Sequence, residues 1–323
     1  MASEHQLKGI SSLGRYSYTE ILEHNLKSFL DWGLLNKGGF ININIPTSGA
    51  YGGDFSKLRQ VNDPRFTNGQ VWESIRGNWV WESGLEFSTQ PIQISGVFVG
   101  ATFHPTSGNT FYIDYPNGRV VFNTAISLSA NVRLAYSYKW VNVVGSDDVP
   151  WLKQVQQRSQ RVDNTNFLIG SGNYHGMRET KLQLPVVAIE VASEDYEGYM
   201  LGGYQYCRNR IKCYVIGEDK GSVERLSHVI ANQNEKTIFM FDSNLLAQNE
   251  RFPLDYKGSK TANCLTYPDL VNHSGQNGFR YTSEVLHGML SFGNSRRQEP
   301  QKLTDNLWQR VVDIETEAVL TRI

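Results

Sequence analysis

Cysteine, long apolar runs and an excess of either charge are what this sequence has least of. Three cysteines, Cys207, Cys213 and Cys264, stand in 323 residues; that is too few, and odd in number, for a disulfide framework, so a reducing compartment fits best. No stretch approaches the ~20 consecutive apolar residues of a membrane span. The opening MASEHQLKGISSLGRYSYTE holds no apolar signal core. The chain is therefore expected to be soluble, without a membrane partner, and assembled in a cytoplasm. Lys and Arg number 31 against 32 Asp and Glu, a net charge of -1, which leaves no chain-wide basic field to grip nucleic acid.

Signatures of chemistry are equally scarce. Gly170-Ser171-Gly172-Asn173-Tyr174-His175-Gly176 is one residue off the dinucleotide spacing and precedes a strand pattern instead of opening a helix, so turn chemistry explains it. The seven histidines form no His-x-x-x-His or His-x-His pair, and Cys207 and Cys213 are six apart on one strand pattern, too far to chelate one ion tightly. There is no Gly-x-Ser-x-Gly elbow. Carboxylate pairs such as Asp147-Asp148 and Glu194-Asp195 are explained by solvated loops and helix caps. Trp72, Trp79 and Trp81, with Arg76 between, could line a sugar platform, although a core with an interface is the commoner use of tryptophan. The expectation is a non-enzyme with no cofactor and no metal.

What is present is aromatic and β-leaning: 12% aromatic residues, 40% hydrophobic and 20% charged. One amphipathic helix is predicted over Tyr18 to Leu35, with Leu22, Leu26, Phe29, Leu30 and Gly33 on one stripe and the glycine allowing a close approach. A half-buried strand, Phe40 to Pro46, and a glycine-rich loop, 47 to 70, follow. Short strands are then expected at Val71 to Ile75, Trp79 to Glu82, Pro91 to Val99, Thr110 to Tyr115, Arg119 to Phe122 and Asn131 to Val144. Pro116-Asn117-Gly118 supplies a hairpin turn. In the last strand Val132, Leu134, Tyr136, Tyr138 and Trp140 are expected on the buried face, and Arg133, Ser137 and Lys139 on the other.

A polar helix from about 148 to 161 leads to strands Leu184 to Ala192 and Tyr204 to Ile216, a helix Ser222 to Ala231, the run Ile238 to Phe241, and strands Phe279 to Phe292 and Trp308 to Leu320. The fold class is α+β: an antiparallel β-sandwich or barrel domain plus a small α/β layer with an N-terminal amphipathic helix. Three segments are expected. Residues 1–64 hold the helix, strand and loop and can pack with the C-terminal domain, 65–146 form the sandwich or barrel, and 147–323 form an α+β domain opened by the polar helix.

Several stretches look familiar. Gly38-Gly39-Phe40-x-Asn42, Tyr51-Gly52-x-Asp54-x-Ser56-x-Leu58-Arg59, Asp63-Pro64-x-Phe66, Gly69-x-Val71-Trp72 and Asn78-Trp79-Val80-Trp81-Glu82 resemble virion structural proteins of tailed bacteriophages. The Tyr112 to Phe122 hairpin with the strand Val132 to Val141 resembles a recurrent phage tail and neck element. The order of strand 204–216, helix 222–231 and run 238–241 is similar to head-to-tail joining and tail-completion subunits.

The resemblance implies a neck or connector subunit in the virion, packed as a hexameric or dodecameric ring of its own copies between portal or adaptor and tail proteins, with no active site to carry over. DNA would be present only as passing lumen content, with Arg158, Arg161, Arg208, Arg210 and Lys212 as lumen candidates. Interface candidates are Tyr51, Asp54, Leu58, Arg59, Trp72, Trp79, Trp81, Arg158 and Arg161. The alternatives are a baseplate or receptor-binding carbohydrate module, and a tail-associated glycan hydrolase.

Overall fold

The structure, a computed structural model, describes residues 18–45, 53–146, 183–198, 205–242, 253–262, 266–271, 286–304 and 306–320. Helix α1 (Tyr18–Asn36) buries Leu22, Leu26 and Leu30, as its stripe predicts, with Phe29 partly buried and Ile21, outside the stripe, buried as well. It stops where Gly38 takes a positive φ of 83° and the N–H groups of Gly38 and Gly39 return to the carbonyls of Leu35 and Leu34 at 2.9 and 2.8 Å. Gly33 is not a point of close approach, since a Cβ there would meet nothing within 4 Å.

Strand β1 (Phe40–Ile43) enters the smaller of two layers. The one-turn helix α2 (Gly53–Ser56) and strands β2 (Arg59–Gln60), β3 (Val71–Glu73), β4 (Gly96–Val99), β5 (Thr102–Pro105), β6 (Phe111–Asp114), β7 (Arg119–Phe122), β8 (Val132–Arg133) and β9 (Tyr136–Lys139) follow. They form antiparallel sheets in the orders β2-β3-β7-β6, β5-β4-β8 and β1-β9. One core unites them, with Trp72, Trp79, Val97, Ile113, Val132, Leu134 and Tyr136 among its members. The hairpin β6–β7 turns at Pro116-Asn117-Gly118 as expected. Asp114 accepts from the backbone N–H of Asn117 at 3.1 Å. A Cβ on Gly118 would lie 2.7 Å from Arg76 O, so only glycine fits there.

Two expectations fail here for one reason. The stretch 131–144 is not one strand: β8 pairs with β4, β9 with β1, and strand β10 (Asn142–Gly145) with the other layer. Changing partners twice buries the chain on both sides, so Ser137 and Lys139 are 0% and 7% exposed, not on a solvent face. Trp79 to Glu82 contributes only an isolated bridge, Trp79 to Tyr138.

The motif around Asp63 has a structural role. Its carboxylate takes Arg65 Nη2 at 2.7 Å and Arg119 Nη1 at 3.1 Å, while Arg119 Nε reaches Glu73 at 3.0 Å. The hydrogen bonds from Arg65, opposed by burial, hold the Asp63 carboxyl down from 3.8 to about 2. A depressed folded-state value stabilises the fold above the unfolded value, and that stability is lost as pH falls toward the folded one. Thermal unfolding between pH 4 and pH 2 should therefore show a steeper acid loss for the wild type than for Asp63→Asn.

The larger layer contains β10, β11 (Val186–Gly198), β12 (Gln205–Gly217), helix α3 (Lys220–Ala231), β13 (Thr237–Phe241), helix α4 (Tyr267–Val271), β14 (Leu286–Arg297), β15 (Gln301–Thr304) and β16 (Leu307–Leu320). The sheet order is β10-β11-β12-β16-β14-β13 with β15 on β16, antiparallel except for β10 against β11. Asp219 caps α3 by accepting from Ser222 N at 2.7 Å, so the helix starts two residues before the position its apolar spacing suggests.

Helices α1 and α3 cover one face, where Leu22, Leu26, Val223, Leu226 and Ile230 meet Ile189, Ile211, Val215, Val312 and Ile314. Asn25, fully buried, donates to Phe241 O at 2.8 Å and accepts from Phe241 N at 3.0 Å, closing the end of β13 as another strand would. The N-terminal helix thus belongs with the C-terminal sheet, and the β-rich unit from β1 to β9 is inserted between them. Burial pushes the Cys207 thiol up to about 11 and that of Cys213 up to about 12, which makes both poor nucleophiles. Cys264 lies outside the described residues.

Candidate docking surface

Four side chains form one row on the outer face of the β5-β4-β8 sheet. Residues opposite one another in neighbouring strands project to the same side. The pairing sets Phe103 opposite Phe98, Phe98 opposite Arg133, and Arg133 opposite Lys57 through an isolated bridge. Their neighbours Val97, Val132 and Leu58 point into the core, so the period of two sends the row outward. The rings of Phe98 and Phe103 tilt at 51° with centroids 4.9 Å apart. Gly96 admits this pair, since a Cβ there would collide with the Phe103 ring and the His104 carbonyl. Phe103 is 44% exposed, and Phe55, in α2 two residues before Lys57 in the chain, is 45% exposed.

The polar half of the row is electrostatically incomplete. Like charges opposite one another in a sheet are destabilising, and neither Lys57 nor Arg133 has an ion-pair partner among the described residues. Arg133 Nε is buried without an acceptor, and Asn131 Oδ1, two residues earlier, is buried without a donor. Aromatic rings beside an arginine are the side chains enriched at protein interfaces.

The interface residues expected from sequence scatter around this row. Leu58, Trp72 and Trp79 are corrected: at 1%, 2% and 0% exposure they are core, because loop and strand fold inward over them. The sugar platform loses two of its three rings with them. Trp81 is half-buried, its ring centroid 5.9 Å from Lys139 Nζ. Arg59 is exposed on β2, opposite Glu73. Asp54 lies in α2. Tyr51, Arg158, Arg161 and the polar helix 148 to 161 lie outside the described residues. Phe98 and Phe103 were missed because Val97-Phe98-Val99 is uniformly apolar and shows no alternation to mark an outward position.

A second surface is the sheet face opposite α1 and α3. Arg208, Arg210 and Lys212 project there from β12, flanked by Glu190, Asp195 and Glu197 on β11 and by Asp313, Glu315 and Glu317 on β16. Six carboxylates around three cations give the lumen candidates Arg208, Arg210 and Lys212 a face of mixed charge, whereas phosphate binding needs net positive charge. A cleft of about 470 Å³ on this face mixes signs too, being lined by Arg210, Arg296, Arg297, Gln298, Glu299 and Asp313. Among the described residues no three His, Cys, Asp or Glu side chains converge as a metal site, and no helix is long and apolar enough to cross a membrane.

No protein-family model matches the chain, and no curated protein matches it.

Proposed function

We propose that the chain is a structural subunit of a tailed-phage particle, packing with its own copies as a ring in the neck, where it joins portal and head to tail by protein contacts alone. The observation that carries this reading is the Phe103-Phe98-Arg133-Lys57 row: an exposed ring and a half-buried one beside two cations that face each other without an ion-pair partner among the described residues. A surface of that chemistry gains from a protein neighbour that supplies apolar area and a carboxylate.

The acidic flanks of β12 favour a protein partner over nucleic acid on the opposite sheet face. The sequence resemblance supplies the particle and the position, with hexameric or dodecameric closure as its expectation. Gold-labelled antibody against the chain, imaged on intact particles, should mark the junction of head and tail. Gold over the capsid lattice or at fibre tips would overturn the reading.

A further inference from the structure

The chain carries on its other layer the chemistry that the row lacks. At the outer end of the β11–β12 hairpin, Asp195 and Glu197 share a sheet face with Tyr206 and Arg208, and both carboxylate residues are exposed. Arg208 lies 3.8 Å from Glu197 and 3.8 Å from Glu317. One guanidinium thus serves two acids, with Asp195 opposite it in register as a third carboxylate of that face, so among the described residues this end is net negative. The Tyr206 ring lies among them, with the Arg208 guanidinium 5.5 Å from its centroid.

We infer that the acidic hairpin end of one copy docks on the row of the next copy. The carboxylates of Asp195 and Glu197 meet Lys57 and Arg133, and the Tyr206 ring meets Phe98 and Phe103. The inference rests on the ring reading, of which it names the subunit contact. Donor and acceptor are different patches, so the contact is heterologous: it repeats head to tail and closes when the rotation per subunit divides a full turn. Charge complementarity selects the pairing, since among the described residues the row has two cations without an acid and the hairpin end has more acids than cations.

The test is sedimentation velocity of the full chain at matched concentration, with circular dichroism melting to verify the fold of each variant. Lys57→Glu with Arg133→Glu, and separately Asp195→Lys with Glu197→Lys, should each weaken self-association at least ~10-fold by placing like charges together. An equimolar mixture of the two variants, or the fourfold variant, should restore it. Variants that associate like the wild type would overturn the contact and leave the ring reading standing. Two dissociated variants with no rescue on mixing would overturn the pairing of these patches. A wild type that stays monomeric at every concentration would overturn the contact, while the ring reading is decided by the position of the chain in the particle.

Discussion

Lys139→Met should be among the most destabilising single substitutions in the described residues, costing about 3–5 kcal/mol, the range for breaking a buried ion pair. Lys139 Nζ lies 2.5 Å from Asp31 Oδ2 and 2.6 Å from Glu82 Oε1, with its side chain 6% exposed. Burial alone would lower the ammonium's pKa, but the two carboxylates override it and hold it above the ordinary lysine range. Methionine preserves the length and leaves two carboxylates facing each other without a cation.

The site also ties the molecule together, because Asp31 belongs to α1 on the C-terminal sheet while Lys139 and Glu82 belong to the inserted unit. The pH dependence identifies the cause. Burial, partly offset by Lys139, pushes the Glu82 carboxyl upward, and removing the cation pushes it further. A carboxyl raised in the folded state favours folding when protonated. The deficit of the variant, read from urea midpoints, should thus be largest near pH 7 and shrink toward pH 4. A loss under about 1 kcal/mol, the scale of exposed pairs, would show the ions to be solvated.

Trp79→Ala should cost a comparable amount, about 3–5 kcal/mol. Trp79 is fully buried, donates from Nε1 to Ser74 Oγ and Arg76 O at 3.0 Å each, and stacks 4.9 Å from Tyr136. The substitution removes packing and the indole donor, leaving Arg76 O with only the Ser74 hydroxyl as a side-chain donor. Trp81→Ala, at a half-buried site, should cost distinctly less. If Trp79→Ala instead kept its urea midpoint and lost only binding to a glycan, the sugar-platform alternative would return.

The parts legible in the sequence are those where one physical signal acts alone. The Leu22, Leu26 and Leu30 spacing defined α1, Asn117-Gly118 defined its hairpin, and Val223, Leu226 and Ile230 defined α3, short only of its Asp219 cap. Alternation misled where tertiary pairing decides. Between Asn131 and Val144 the chain changes sheets twice, and nothing local to those residues marks the changes. Lys139 looks like a solvent residue until Asp31, 108 positions away, is brought to it. Tryptophan spacing could not separate a platform from a core, because Trp72 and Trp79 point inward through pairings with β7 and β9. The charge rows were visible as period-two runs, Arg208-Arg210-Lys212 and Asp313-Glu315-Glu317, but their mutual neutralisation depends on the β12–β16 register.

The row of Phe103, Phe98, Arg133 and Lys57 was legible only in fragments, since its four members come from three strands and a loop. It is also what the functional reading stands on. The most direct test is cryo-electron microscopy of an intact particle, with the chain fitted into symmetrised density. The account predicts a closed ring of copies at the head-to-tail junction, with the row covered by a neighbouring protein. Copies at fibre tips or in the capsid lattice, or a ring in which the row faces open solvent, would contradict it.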